Sequence, residues 1–298
     1  MVPISPSPLA PGSTRRGPPG RTRRIDGLAV TEYRPPTERP GGPVADLPLV
    51  VLVHGSLDRG DSFRRVVRRL GDRRVVTYDR RGYGASAHRD DRPLDLAAHA
   101  ADLVGLVDAL ASASPPVAVG HSFGGAVVMT AAARYPGTFG AIAVYEPPLP
   151  WFGFRRAGAT APPPDHPDRE VESFFRRMVG DDAWGRLSEQ GRASRLADGP
   201  ALVADMTALH GTDAAPFEVA ALRAPAVFGC GGPASTDRHR RTTAWLAGQI
   251  PGAVAVEIPG AGHGAHLSHP DAFAEMVRRA TSERRSPGDP AAPTGGRP

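Results

Sequence analysis

Short apolar runs alternate with segments of helical periodicity along most of this 298-residue chain, and this alternation constrains the fold more than any other feature. The run LPLVVLVHG at Leu47–Gly55 is continuously apolar, which indicates a strand covered on both faces. Helical spacing follows at Asp61–Gly71 and again at Leu94–Ser112. Further apolar runs are VAVGH, FGAIAVY, APAVFG and AVAVEI. This order predicts an α/β fold with a mostly parallel central sheet flanked by helices.

The alternation is interrupted after Pro147 and Pro148. From there to about residue 222 the chain has proline clusters and helical stretches but no convincing strand. We therefore predict a helical cap insert at 147–222 on a core formed by 25–146 and 223–280. If one edge strand precedes the first apolar run, the insert follows the sixth strand of the sheet.

Large apolar side chains in the insert are candidates either to line a pocket or to form the insert's own small core. They are Trp151, Phe152, Phe154, Phe174, Phe175, Met178, Trp184 and Met206. The helical spacing of Phe174 and Met178 favours the core for those two.

Positive charge is concentrated at the N-terminus. The formal net charge is +5, and residues 1–24 contain five arginines and no acidic residue. Both 1–24 and 281–298 have the Pro-, Gly- and Arg-rich composition that predicts disordered tails. A nucleic-acid site needs its positive charge on a folded face, usually with aromatic residues or a known motif. We therefore expect no nucleic-acid partner.

The location is predicted from the absence of export and membrane signals. No apolar run approaches the ~20 residues that a membrane span needs. Residues 1–24 lack the apolar segment of a secretory signal. The single cysteine, Cys230, allows no intrachain disulfide, and its position at the end of a buried strand is typical of an inert side chain. We expect a cytoplasmic protein with no membrane partner.

Ser122 stands between two glycines at the junction of a predicted strand and a predicted helix. The stretch GHSFGG fits the pattern G-x-S-x-G, in which the glycines let strand and helix crowd together in a tight turn. Such a turn exposes the serine hydroxyl above the sheet. The helix behind it directs backbone N–H groups at the site, so the N–H of Phe123 is a candidate oxyanion donor. We predict that Ser122 is a nucleophile rather than part of a flexible turn.

Four stretches, LVHG, YDRRGYGAS, GHSFGG and IPGAGHGAHLSHPDAF, follow one another in an order that resembles the α/β-hydrolase family over about residues 25–280. VYEPPLP is similar to a subgroup of small, mostly bacterial members with no settled common substrate. The resemblance implies a second oxyanion donor, the backbone N–H of Ser56. It also implies that His54 braces this loop, that Asp79 and Arg81 form a structural ion pair, and that no cofactor is needed.

His263 is the candidate general base. The family order is serine, acid, histidine, with the histidine in a loop after the last strand, and the glycines around His263 let such a loop fold back toward Ser122. His263, His266 and His269 recur every third residue, which is also a possible spacing for metal ligands. This Gly-rich stretch is not helical, so the spacing does not place them on one face. We predict no metal site, and we expect His121 to pack rather than react.

The acid of the triad departs from the common family pattern. Most members place an aspartate just after the penultimate strand, where this chain has Gly231 or Gly232. Glu146, at the carboxyl end of the strand after the nucleophile helix, is the favoured candidate, since sites in parallel sheets form at that edge. Asp237 is the alternative, although a position in the first turn of a helix also explains it. A third possibility is a dyad without an acid, which would be slower.

These residues predict a serine hydrolase that cleaves a small ester, lactone or thioester through a Ser122 acyl-enzyme. A serine at this position argues against the relatives that use an aspartate nucleophile. Two alternatives stay open. Cofactor-free haloperoxidases or perhydrolases of this fold share the same triad, and a non-catalytic binding module on a hydrolase scaffold would explain the missing aspartate. The expected partner is a small-molecule substrate.

Overall fold

Over the part of the chain that the structure describes, the central sheet has nine strands, and the apolar runs named above supply five of them. The computed structural model describes residues 1–4, 19–35, 49–86, 94–161 and 165–283. The strands are β1 Val2–Pro3, β2 Gly20–Ile25, β3 Leu28–Tyr33, β4 Leu49–Val53, β5 Arg74–Tyr78, β6 Val117–His121, β7 Ala141–Tyr145, β8 Ala226–Gly231 and β9 Val254–Ile258. Their order across the sheet is β1-β9-β8-β7-β6-β4-β5-β3-β2. Only β2 with β3 and β3 with β5 pair antiparallel, so the predicted mostly parallel sheet is confirmed.

Helices connect the strands and cover both faces of the sheet. They are α1 Arg64–Arg69, α2 Leu96–Leu110, α3 Phe123–Arg134, α4 Pro167–Val179, α5 Asp181–Gly185, α6 Glu189–Leu196, α7 Gly199–His210, α8 Asp237–Gln249, α9 Ala265–Ser268 and α10 Pro270–Ser282. One apolar cluster packs α2, α3 and α8 on one face of the sheet. A second packs α1 and α10 on the other face. Strands β4, β6 and β7 are buried along their whole length, as continuous apolar runs require.

The segment between β7 and β8 is helical. Its described residues form α4 to α7 with short turns of 3₁₀ helix and contain no strand. The insert follows the seventh strand rather than the sixth, because three strands precede β4. It begins at the carboxyl end of β7, the edge of the sheet where Ser122 also lies.

The tails differ from the sequence prediction. Residues 1–24 were expected to be disordered, but β1 pairs parallel with β9, and β2 pairs antiparallel with β3. Backbone hydrogen bonds explain this, because an edge strand can be held by its ladder alone while its side chains stay in water. Positions 5–18 and 284–298, where the disorder prediction also falls, lie outside the described residues. Among the helices that the structure describes, none has the length and apolar character that crossing a bilayer requires.

Candidate active site

Ser122 lies at a sharp turn between β6 and α3, as the sequence predicted. Its φ of 53° and ψ of −125° put it in a backbone region that non-glycine residues rarely adopt, a strain of about 1–3 kcal/mol. Its backbone N–H donates to Tyr145 O at 2.9 Å, which ties the turn to β7. A Cβ at Gly120 would lie 2.5 Å from Gly124 O, so the close approach of strand and helix requires glycine there. The turn therefore holds the serine in one fixed position.

Glu146 receives four hydrogen bonds at the end of β7. Its Oε2 accepts from Nδ1 of His263 at 2.7 Å and from Nδ1 of His239 at 2.8 Å. Its Oε1 accepts from the backbone N–H of Gly231 at 2.8 Å and from the hydroxyl of Ser235. Burial raises the pKa of Glu146, but the hydrogen bonds from His239 and His263 outweigh burial and hold the pKa well below its usual range. The carboxyl group is therefore ionised and fully buried.

The bond to Glu146 fixes the tautomer of His263. An ionised carboxylate only accepts hydrogen bonds, so Nδ1 carries the proton and Nε2 is the basic nitrogen. The backbone carbonyl of His263 accepts from Nε2 of His121 at 2.8 Å, and Tyr145 donates to the neighbouring Gly262 O at 2.9 Å. The loop is thus held on both sides of the imidazole.

His239 is a part of this cluster that sequence reasoning missed. Its ring stacks on that of His263, with centroids 5.1 Å apart and an angle of 23° between planes. Its Nε2 lies 3.0 Å from Nη2 of Arg238, a guanidinium that can only donate, so Nδ1 carries the proton that binds Glu146. Burial, first of several causes, lowers the pKa of His239. One feature of the sequence could have indicated His239. A helix that starts shortly after β8 places its first turn at the edge of the sheet where β7 ends beside Glu146.

Asp237, the alternative acid, lies away from His263. It occupies the first turn of α8, with 69% of its side chain exposed, and its carboxylate lies 3.3 Å from Arg240. Thr236 caps this helix by accepting from the backbone N–H of His239. The structure brings Glu146 and His263 together. Asp237 lies in the first turn of a helix, which is the structural explanation that the sequence offered for it.

The two candidate oxyanion donors flank Ser122. Phe123 begins α3, and Ser56 follows β4 in the HG loop. Both line one cavity with Ser122 and His263. A Cβ at Gly55 would lie 3.0 Å from the Cβ of Ser122, so the loop passes very close to this serine. The Ser56 hydroxyl donates to Asp205 at 2.7 Å, which anchors the loop to α7 of the insert.

Arg80 and Asp205 form a buried ion pair that sequence analysis did not find. Nη2 of Arg80 lies 2.6 Å from Oδ2 of Asp205, and Nη1 lies 3.1 Å from Oδ1. Both side chains are completely buried. The same Oδ2 accepts from the Tyr83 hydroxyl at 2.7 Å, and Arg80 also donates to His54 O and Gly55 O. The pair therefore joins the insert to the HG loop.

The expected ion pair between Asp79 and Arg81 is wrong. Nε of Arg81 instead donates to Asp102 of α2 at 2.8 Å. Asp79 accepts two backbone hydrogen bonds, from Gly60 and Ala85, each at 2.9 Å. Asp79 therefore stabilises the two neighbouring turns, and backbone N–H groups supply the hydrogen bonds that its carboxylate needs.

The cavity above Ser122 has a volume of about 590 Å³. Among the insert side chains proposed for a pocket, Phe154, Phe174, Met178 and Met206 line it. Phe174 and Met178 were expected to form the insert's own core. Phe174 packs against the larger apolar cluster and also lines the cavity, whereas Met178 is 40% exposed. Phe175 and Trp184 form the packed pair instead, with centroids 5.3 Å apart.

Two groups of side chains in the described ranges have the spacing of metal ligands. Glu146, His239 and His263 form the first, whose contacts the hydrogen bonds above explain. Asp58, His121 and His266 form the second, with Nε2 of His266 3.4 Å from Asp58 Oδ2. Nδ1 of His121 and both ring nitrogens of His266 are buried without a hydrogen-bond partner. One carboxylate and two imidazoles are a donor set that transition-metal ions accept.

His263, His266 and His269, which recur every third residue in the sequence, each contact a different partner. His263 binds Glu146, His266 faces Asp58, and Nδ1 of His269 contacts the Ser268 hydroxyl at 2.9 Å. His54 braces the HG loop, since its Nε2 accepts from the backbone N–H of Arg80 at 2.8 Å. Burial, and then the charge of Arg80, lowers the pKa of His54 to about 3, so this imidazole is neutral.

Comparison with known proteins identifies the family. The model of the Alpha/beta hydrolase family matches residues 50–276. The chain therefore belongs to the alpha/beta hydrolase family, which confirms the resemblance found in its motifs.

Two mycobacterial proteins illustrate the relatives by sequence. A monoacylglycerol lipase of Mycolicibacterium smegmatis is 33% identical over 104 residues, which are 33% of this chain and 37% of that protein. Lipase LipV of Mycobacterium tuberculosis is 32% identical over 116 residues, 39% of this chain and 42% of that protein. The chain thus matches less than half the length of these relatives.

Solved structures share the fold over nearly the whole chain. The enol-lactonase from Burkholderia xenovorans has a TM-score of 0.61 at 22% identity, covering 88% of this chain and 100% of its own. CarC, a serine hydrolase involved in carbazole degradation, has a TM-score of 0.65 at 17% identity, covering 89% and 99%. At these identities the likeness shows the fold alone.

Proposed function

We propose that this protein is a serine hydrolase that cleaves a small ester, lactone or thioester through an acyl-enzyme on Ser122. The observation that carries the proposal is the hydrogen bond of 2.7 Å between Glu146 and His263, in the cavity that contains the strained Ser122. A nucleophile, a base and a group that orients the base are the three parts that acyl transfer needs. The lipase and lactonase names of similar proteins agree with this chemistry.

The reaction has two steps. In the first, Nε2 of His263 takes the proton of the Ser122 hydroxyl, whose oxygen attacks the carbonyl carbon, and the imidazolium then gives this proton to the leaving group. In the second, His263 takes a proton from water, the hydroxide attacks the acyl carbon, and the proton returns to Ser122. Glu146 stays ionised throughout and stabilises the imidazolium. The described residues give the Ser122 hydroxyl no hydrogen-bond partner, so it can turn toward His263 when substrate binds.

Backbone N–H groups stabilise the oxyanion that forms in both steps. Phe123 and Ser56 are the proposed donors, and each such donor contributes about 3–4 kcal/mol to lowering the barrier. Because these are backbone groups, the Ser56 side chain remains available to bind Asp205. Through this hydrogen bond the insert fixes the position of the HG loop, and with it the backbone N–H of Ser56.

The non-catalytic interpretation rested on the missing aspartate after β8. Glu146 makes the hydrogen bond to His263 that the aspartate would make, and it does so from the next strand of the sheet. This contact supports the catalytic interpretation over a binding module.

Turnover of a para-nitrophenyl butyrate ester by purified variants tests the proposal. Ser122→Ala and His263→Ala are expected to lower kcat by at least about 10³-fold. Ser268→Ala and His166→Ala are matched controls on exposed residues outside the cavity, and we expect both to keep wild-type turnover. Circular dichroism checks that every variant is folded. Folded Ser122→Ala with wild-type turnover would overturn the proposal.

A further inference from the structure

Arginines line the active-site cavity in excess of the acids that could neutralise them. Arg156, Arg177 and Arg238 face it, together with the carboxylates Glu146 and Glu170. The oxygens of Glu146 are occupied by its four donors. Glu170 lies 3.7 Å from Arg177 and is its partner. Among the described residues, neither Arg156 nor Arg238 forms an ion pair with a carboxylate, although the charge of Glu146 acts on Arg238.

The environment of Arg238 is unusual for a guanidinium. Its Nη2 lies 3.0 Å from the neutral His239, and no carboxylate among the described residues pairs with it. Burial, and then repulsion by Arg156, lowers its pKa. Two guanidinium groups near each other in a partly buried cavity destabilise one another unless an anion lies between them.

His210, which lines the same cavity, also lies close enough to these arginines to be affected by their charge. This residue ends α7 of the insert and lines the cavity. Burial lowers its pKa first, followed by the charges of four arginines, Arg155, Arg156, Arg238 and Arg177. Of these, Arg155 is paired with Asp213 at 2.7 Å. Arg156 and Arg238 thus act on His210 without an ion-pair partner of their own among the described residues.

We propose that Arg156 and Arg238 form a binding site for a carboxylate group of the substrate, so that the ester, lactone or thioester cleaved here is anionic. The inference rests on the proposed function, since the site lies in the same cavity as Ser122. Guanidinium groups bind a carboxylate through paired N–H donors, which positions the rest of the substrate. Apolar side chains, among them Phe154, Phe174 and Leu209, also line the cavity and suit a short hydrocarbon between the carboxylate and the reacting carbonyl.

Matched pairs of esters test the charge directly. Mono-para-nitrophenyl glutarate and para-nitrophenyl pentanoate differ only in a carboxylate that replaces the terminal methyl group of the acyl chain. Para-carboxyphenyl pentanoate and para-tolyl pentanoate make the same change in the leaving group. We expect kcat/KM of wild-type protein to favour the anionic ester by about 10-fold or more in one of the two pairs.

Arg156→Gln is expected to remove this preference. The readout is the ratio of kcat/KM between the anionic and the neutral ester of a pair, because a general change in the cavity alters both esters alike. The anionic ester should lose about 10-fold in kcat/KM, chiefly through KM. Arg156→Glu should reverse the preference. Arg68→Gln, on the exposed face of α1 and outside the cavity, is the matched control and should change neither ester.

The outcomes separate this inference from the proposed function. Equal kcat/KM within both pairs, with Ser122-dependent turnover present, would overturn the carboxylate site and leave the hydrolase intact. Absence of any Ser122-dependent turnover would contradict the hydrolase instead. Calorimetric binding of the anionic ester to Ser122→Ala, with and without Arg156→Gln, then decides the inference without turnover. Binding that does not weaken in the double variant would overturn it.

Discussion

Removing the carboxylate of Asp205 is expected to destabilise the protein strongly. Asp205 lies on α7 of the insert and pairs with Arg80 of the core, 125 residues away in sequence. Neither side chain reaches solvent. Asp205→Ala would therefore leave the Arg80 guanidinium buried beside backbone carbonyls, the His99 imidazole and the rings of Tyr83 and Phe123, with no carboxylate from the described residues.

The size of the effect follows from that burial. Breaking a buried ion pair by removing one partner costs about 3–5 kcal/mol of unfolding free energy, because the remaining charge is uncompensated. Ser56 and Tyr83 also lose an acceptor on Oδ2, which places the expected value in the upper half of that range. Since Ser56 carries a proposed oxyanion donor, kcat should fall as well.

Urea unfolding followed by tryptophan fluorescence measures the change. The matched control is Asp213→Ala, which removes another aspartate of the insert from an arginine, Arg155. Asp213 is 98% exposed, so we expect little measurable change there. If the two variants lose the same free energy of unfolding, the buried pair does not hold the insert and the reasoning fails.

Three further results are expected. Glu146→Gln should lower kcat by about 10³- to 10⁴-fold, because it removes the charge that orients His263, while Asp237→Asn should stay within about twofold; the reverse ranking would exclude Glu146 from the triad. The free energy of unfolding should fall as pH drops from about 6.5 toward 3. The reason is that the pKa of His54 is about 3 in the folded protein, so over this range only the unfolded chain binds a proton at His54. His54 alone contributes at most about 1.4 kcal/mol per pH unit to this fall. His54→Gln should reduce this slope in acid-titrated urea unfolding, and an unchanged slope would refute the assignment. Dialysis against a chelator should leave ester turnover unchanged, whereas a loss restored by Zn²⁺ would indicate a metal ion at Asp58, His121 and His266.

Some parts of the fold could be predicted because a few neighbouring residues show the pattern. The five buried residues of Leu49–Val53 read as a strand covered on both faces. The glycines around Ser122 indicated the turn, because only glycine fits where strand and helix touch. His263 could be chosen from its place in a Gly-rich loop after the last strand.

The edge strand β2 carried no such pattern. Its residues GRTRRI are exposed and charged, so periodicity gave no signal. A signal was present in the next two residues, since Asp26 and Gly27 have φ angles of 46° and 80° in the turn that joins β2 to β3. An Asp-Gly pair before an alternating strand is a strong hairpin indicator.

Partners far apart in sequence could not be found from local pattern. Arg80 and Asp205 lie in different parts of the fold, and each alone is an ordinary charged residue in the sequence. His239 required knowledge that α8 starts beside the end of β7. Glu146 was predictable only because the strand order places its carboxyl end at the edge where sites form.

The most direct test of the account is labelling of the purified protein with a fluorophosphonate, followed by mass spectrometry of its peptides. An activated serine reacts with this probe, whereas an ordinary hydroxyl does not. The account predicts a single adduct on Ser122 that is lost in His263→Ala and strongly slowed in Glu146→Gln. Absence of an adduct on Ser122, under conditions that label a control hydrolase, would contradict it.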